Sequence, residues 1–199
     1  GLTTSVVIVG PFSFLPTYFR MVSGYSATQA GLLLIAMVSG LMGAALLTAY
    51  KNAGGALALE PALREMYSRG MAVPGGACGF WGACGAGISA GQFCAIATQS
   101  TPLAREPWSL SNQMTARALD SIGKAGGPRC CKRDSYTALI TAAEFIRKHF
   151  HTDLETPESI ICHMSGRNEQ CIGAACPYHS QNEQGKTELP EGTARRLFL

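Results

Sequence analysis

The chain has 199 residues, 47 % of them hydrophobic, which allows a sizeable core and one or two domains. A formal charge of +3, with no basic stripe interleaved with aromatics, argues against nucleic acid as a partner. Charge is also unevenly placed: residues 1–50 hold one charged residue, Arg20, whereas all 13 acidic residues and 15 of the 16 Lys and Arg follow.

The first residues, GLTTSVVIVGPFSF, lack the basic start and small-residue cleavage site of a secretory leader. Because the chain starts with Gly rather than Met, a fragment or a processed product is expected. An apolar run at 5–19, broken by Pro11 and Pro16, reads as the end of a span. The uncharged segment 21–50 contains AGLLLIAMVSGLMGAALLTA (30–49), long enough as a helix to cross a bilayer, with Ser26 as its N-cap. Gly40 with Ala44, and Ser39 with Gly43, give the small-residue spacing that lets membrane helices approach. The expectation is a transmembrane-like helical segment over 1–47 with membrane association through it. A buried helix of a soluble protein is the alternative. The stretch FLPTYFRMVSGYSATQAGLLLIAMVSGLMGAALL resembles part of a major facilitator superfamily multidrug transporter over about residues 10–47. That resemblance implies a transporter fragment fused to a passenger domain, and it supplies no transport residue.

After a turn at KNAGG (51–55), helical spacing of Leu59, Leu63 and Met66 predicts a helix over 56–70, with Gly70 as C-terminal cap. Pro107 as a first-turn residue and Leu110, Met114, Ala118 and Ile122 on one face predict a helix over 107–123. A third, 135–150, takes Asp134 as N-cap and ends on Arg147, Lys148 and His149, where the helix dipole favours cations. No period-two alternation occurs. The predicted fold is all-α: a compact helical Cys/Gly-rich domain over 48–180, behind the apolar segment 1–47 and before a polar tail, 181–199.

All eight cysteines lie between Cys78 and Cys176. Without a sign of export, they read as reduced thiols or metal ligands in a cytoplasmic 48–199 region rather than as a disulfide framework. Cys78, Cys84 and Cys94 form one cluster, the vicinal Cys130 and Cys131 a second, and Cys162, Cys171 and Cys176 a third. The third, ICHMSGRNEQCIGAACPYHS, adds His163 and His179 and has little apolar mass of its own. A metal would supply its ordering energy. Zinc or an iron–sulfur cluster is the expected cofactor, held by Cys162, Cys171 and Cys176 with a fourth ligand from Cys78, Cys84, Cys130 or Cys131. In GGPRCCKRDS (126–135), Arg129, Lys132 and Arg133 surround two thiols, and nearby cations favour the thiolate. Cys130 and Cys131 are therefore also candidate nucleophiles of a thiol-dependent enzyme, and the three cations candidate cofactor- or anion-binding residues.

The glycine-dense stretch VPGGACGFWGACGAGISAG (73–91) carries no phosphate-loop signature. Ser89 in GISAG matches a bare nucleophile-elbow pattern, but no strand precedes it. The glycines point to close packing, with Cys78 and Cys84 presented toward the other thiols. LLTAYKNAGG, this stretch, NQMTARALDSIGKAGGPRCCKRDSY and SGRNEQCIGAACPY together resemble domain-of-unknown-function family 5714, over about residues 45–179. The resemblance implies a Cys-rich cytosolic domain of anaerobic bacteria and archaea, in some members beside a SAM-dependent methyltransferase domain. It implies an accessory role to an anaerobic enzyme such as a methyltransferase partner, and carries over no catalytic residue. The two resemblances meet near GAALLTAY (43–50), where a natural fusion, a truncation and an assembly artefact all remain open.

Overall fold

The computed structural model describes residues 27–182, with side chains described from residue 40 onward. The expected span at 5–19, the Ser26 cap and the tail beyond residue 182 lie outside the described residues. Within them, six α-helices follow in order: α1 (Ala27–Asn52), α2 (Leu59–Met71), α3 (Ala77–Phe80), α4 (Gly85–Ala97), α5 (Glu106–Lys124) and α6 (Cys131–Phe150). The limb after α6 is irregular, with three 3-10 turns, Ser165–Arg167, Gly173–Ala175 and Ser180–Asn182. No strand forms among the described residues, and a single parallel bridge joins Cys162 to His179. The all-α, compact expectation holds.

Helix α4 is the hub, in contact with α1, α2, α5 and α6. Its sequence, GAGISAGQFCAIA, is apolar or small on every side, the pattern of a helix with neighbours all round. Its glycines are where those neighbours come closest. A Cβ on Gly87 would meet the Leu119 side chain, and one on Gly91 would meet the Thr115 hydroxyl and the Ser111 carbonyl oxygen, both on α5. Ser89 is fully buried in this helix, so it is a packing residue and not an exposed nucleophile. Around the hub, Phe93, Phe145, Leu47, Met66, Met114 and Ile146 lose all or nearly all contact with water. Each contributes roughly 1.5–3 kcal/mol relative to an exposed side chain. Tyr50, Phe93 and Phe150 tie α1, α4 and α6 together through rings with centroids 5.6–5.8 Å apart.

The expected transmembrane-like segment is not found: among the described residues, no helix is long and apolar enough to cross a membrane. The reason is visible in α1. Met42, Leu46, Leu47 and Tyr50 are buried in the same core as α4 and α6. Gly43 sits where a Cβ would meet the Met66 thioether and the Ser89 hydroxyl. At Gly43, therefore, the small residue serves packing against helices of this domain, whereas Gly40 has nothing within 4 Å of an added carbon. The helix also runs without a break through residues 47–48. Helix α2 ends one residue beyond the expected cap: Gly70 is buried inside its last turn, and Ala72 follows as the cap residue.

Candidate functional site

The site is built around the start of α6, which begins four residues earlier than expected. Cys130 occupies the N-cap position without a side-chain capping bond, and Asp134 lies inside the first turn. Asp134 is not the cap because its carboxylate is turned into the protein, where it accepts from Arg133 Nε (3.3 Å) and from Cys84 Sγ (3.8 Å). Arg133 is 3 % exposed. Its Nη2 donates to the carbonyl oxygens of Gly126 (2.6 Å) and Pro128 (2.8 Å). One buried guanidinium thus holds the 126–128 loop, where Gly126 has φ +79° and Gly127–Pro128 is cis, against the helix it leads into. This fixes Cys130 and Cys131.

The limb is tied to the same helix. Thr137 Oγ1 and the Tyr178 hydroxyl are 3.0 Å apart, and the Tyr136 and Tyr178 rings meet edge to face at 5.4 Å. Cys162 N donates to Tyr178 O (2.7 Å), closing residues 162–178 into a loop. Asn182 Nδ2 donates to Cys176 O (2.8 Å) and Ala174 O (3.2 Å).

Between helix and limb lies a cavity of about 270 Å³. Cys130, Cys131, Cys162, Cys171 and Cys176 line it, with His179. Arg129, Lys132, Arg133 and Arg167 also line it, and no carboxylate does. Two of its sulfurs accept hydrogen bonds, Cys130 from Asn168 Nδ2 (3.7 Å) and Cys171 from Gly173 N (3.4 Å). On another side of α6, Cys78, Cys84, Cys131 and Asp134 border a much smaller cavity of about 20 Å³. The vicinal pair is therefore divided: Cys130 borders the large cavity, and Cys131 borders both. Cys94 stands apart, fully buried in the core on α4. His163 is exposed and does not line the large cavity.

All eight cysteines are free thiols. Burial pushes the Cys84 thiol up to about 12, against the pull of the Ala86 backbone N–H, and the Asp134 carboxylate adds to the rise. Burial also raises Cys131, more than the cation of Arg129 lowers it. That is opposite to the direction an activated nucleophile at neutral pH requires. Cys176 is raised by burial too. Among the described residues, no group of three or more His, Cys, Asp or Glu side chains is gathered about one point as ligands of a single metal ion would be. The ligand set of a lone tetrahedral zinc is thus not preassembled. The thiols are spread around a larger space.

Several lining residues escaped the sequence reading. Arg167 and Asn168 lie just before Cys171, and Tyr136 and Tyr178 frame the limb. The only hint of the first two was a polar run, RNEQ, abutting a cysteine. Phe80 and Trp81, beside Cys78, are 87 % and 70 % exposed.

A family model described as a family of unknown function (DUF5714) matches residues 36–179. No curated protein and no solved structure matches the chain. The transporter resemblance of residues 10–47 has no support, and the family match begins inside that segment.

Proposed function

The chain belongs to this family of unknown function, DUF5714, and we propose that its cysteine-lined cavity holds an iron–sulfur cluster, making the domain an accessory module of a redox or anaerobic enzyme. The observation that carries the reading is the convergence of five cysteines, from segments more than thirty residues apart in sequence, on one cavity of about 270 Å³. Core packing does not require this: the cysteine that serves packing alone, Cys94, is on α4 and fully buried.

Three features of the lining suit a cluster better than a lone zinc. A single zinc draws four donors to about 2.0–2.3 Å from one point, and no such group is gathered. A cluster binds its thiolates on separate irons, so they stand further apart. Thiolate-ligated clusters carry net negative charge, and four cations without a carboxylate line the cavity. N–H groups of Asn168 and Gly173 donate to thiol sulfurs, the kind of contact that tunes cluster potential. Cys130, Cys162, Cys171 and Cys176 would be the ligands, with Cys131 and His179 as the reserve donors. Bound there, a cluster would supply one-electron transfer or a Lewis-acidic iron. The chain's own residues hold the thiols in place through Arg133 and Tyr178, with Cys176 buried and Cys130, Cys162 and Cys171 partly exposed. Because burial keeps the thiol of Cys176 protonated beyond the usual range, loading releases protons and weakens as pH falls. Free thiols also require reducing surroundings, which the reading assigns to this domain.

The test is anaerobic reconstitution with iron and sulfide, followed by metal analysis and a visible spectrum. The expected result is stoichiometric iron and sulfide with a charge-transfer band. That band should be lost in Cys162→Ser and Cys171→Ser and kept in Cys94→Ser. No iron in anaerobically prepared protein, or equal loading in all three variants, would reject the reading.

A further inference from the structure

We infer that the mouth of the cysteine cavity is a binding site for a small molecule bearing an oxyanion group, a carboxylate or a phosphate. This deepens the cluster reading and rests on it for what the anion meets at the cavity floor. The binding itself rests on the cations.

Elsewhere on the surface, three cations pair with a carboxylate of their own helix. Arg64 pairs with Glu60 (2.8 Å), Arg69 with Glu65 (2.8 Å) and Lys124 with Asp120 (2.6 Å). At the cavity, only Arg133 has such a partner, and it is buried and occupied with the 126–128 loop. The side chains of Arg129, Lys132 and Arg167 have no carboxylate partner among the described residues, although they come from two separate segments and line one cavity. Bringing three unpaired cations together costs free energy unless an anion offsets their repulsion. Two are arginines, whose planar forks match carboxylate and phosphate oxygens in pairs.

The neutral lining agrees with an organic anion. Ser165, Asn168 and Gln170 offer side-chain polar groups, whereas Met164 and Ile172 add apolar wall. The first-turn N–H groups of α6 precede its first helical bond, Asp134 N to Cys130 O, and receive no side-chain cap. They add donors without being the basis of the site. The cavity of about 270 Å³ is already below the usual range for drug-sized ligands and has a cluster to hold at its floor, so the occupant of its mouth is small.

Calorimetric titration of the whole chain with inorganic phosphate and with acetate tests this, in cluster-free and in reconstituted protein. Saturable binding of at least one probe is expected. It should weaken about tenfold in the double variant Arg129→Gln/Arg167→Gln and weaken with added salt. Binding should persist in Arg129→Lys/Arg167→Lys, which keeps the charge, and in Arg64→Gln, which alters a distant surface cation. Far-UV circular dichroism checks that each variant folds, and Arg167→Gln alone, on an exposed turn, replaces the double variant if that one fails to fold. The inference is overturned if neither probe binds in either form, or if the Gln variants bind as the parent does. A cluster that forms without anion binding overturns only this inference. Anion binding in protein that takes up no iron keeps this inference and overturns the cluster reading.

Discussion

Cys94 shows how a single buried thiol reports on the whole core. It has no access to solvent, and burial pushes it from 9.0 up to about 11, with the Ser111 hydroxyl pulling slightly the other way. In the unfolded chain the thiol ionises at its ordinary value. The native state therefore holds its proton over a range where the unfolded state has lost it. Stability from this group is complete below about pH 9 and is lost as pH rises through 11, by roughly 3 kcal/mol in all. Urea unfolding under reducing conditions at about pH 8 and about pH 10 should show the decline. Cys94→Ala should be less stable at both values, through the cavity it leaves, and should show a shallower decline between them. An identical slope in the variant would mean that Cys84, raised to about 12 for the same reason, carries the effect. Sequence alone grouped Cys94 with Cys78 and Cys84, because spacing is blind to which side of a helix a residue takes.

At the scale of elements, the helices were readable because their apolar positions repeat with the helical period. Met66 on α2, Met114 and Ala118 on α5, and Ala142 and Ile146 on α6 all face the core. Helix ends were less readable. Asp134 looks like an N-cap in sequence, but a buried arginine and a thiol compete for its carboxylate, and the helix starts at Cys131. Of the glycines in 73–91 expected to mark close approach, Gly87 and Gly91 on α4 do so, whereas Gly79 and Gly82 have nothing within 4 Å of an added carbon; two substitutions separate the packing role from mere tolerance. Gly91→Ala gains at most about 1 kcal/mol of helix propensity. Its new Cβ runs into Thr115 and the Ser111 carbonyl, an overpacking cost of about 1–3 kcal/mol. Net destabilisation by about 1–2 kcal/mol is expected in denaturant melts. Gly123→Ala, near the end of α5 with nothing within 4 Å of the added carbon, should be neutral or stabilising by a few tenths.

For the whole molecule, the sequence supplied the cysteines and their cationic neighbours but not their arrangement. Which thiols share a cavity depends on the limb crossing the start of α6, and that crossing is made by Tyr178 and Thr137, two residues with no sequence signature. The transmembrane-like reading of 1–47 finds no support over its described part, residues 27–47, for a related reason. A run of apolar residues looks the same whether it faces lipid or a core, and from Met42 to Tyr50 α1 faces a core. The limb, 151–182, contributes few buried apolar side chains beyond Leu154, Cys176 and Tyr178. Its order should therefore depend on its ligand. In hydrogen exchange, cluster loading should slow amides 162–179 by more than tenfold while leaving α4 unchanged, since only the limb gains contacts. Uniform slowing across the chain would show that the limb and the core unfold as one unit.

The pairing of Cys162 with His179 has a consequence for how this family can vary. Compact metal motifs keep their cysteines two to four residues apart because the short loop itself must gather them. Here the bridge and the Tyr178 anchor set the two ends of the loop side by side, and a ligand would order what lies between them. Intervals such as the eight residues between Cys162 and Cys171 are then free to drift, since doubling a closed loop costs only about 0.6 kcal/mol. Relatives are expected to vary in length between these cysteines while keeping both ends of the loop. A search for a rigid spacing pattern would miss the site that the closure preserves.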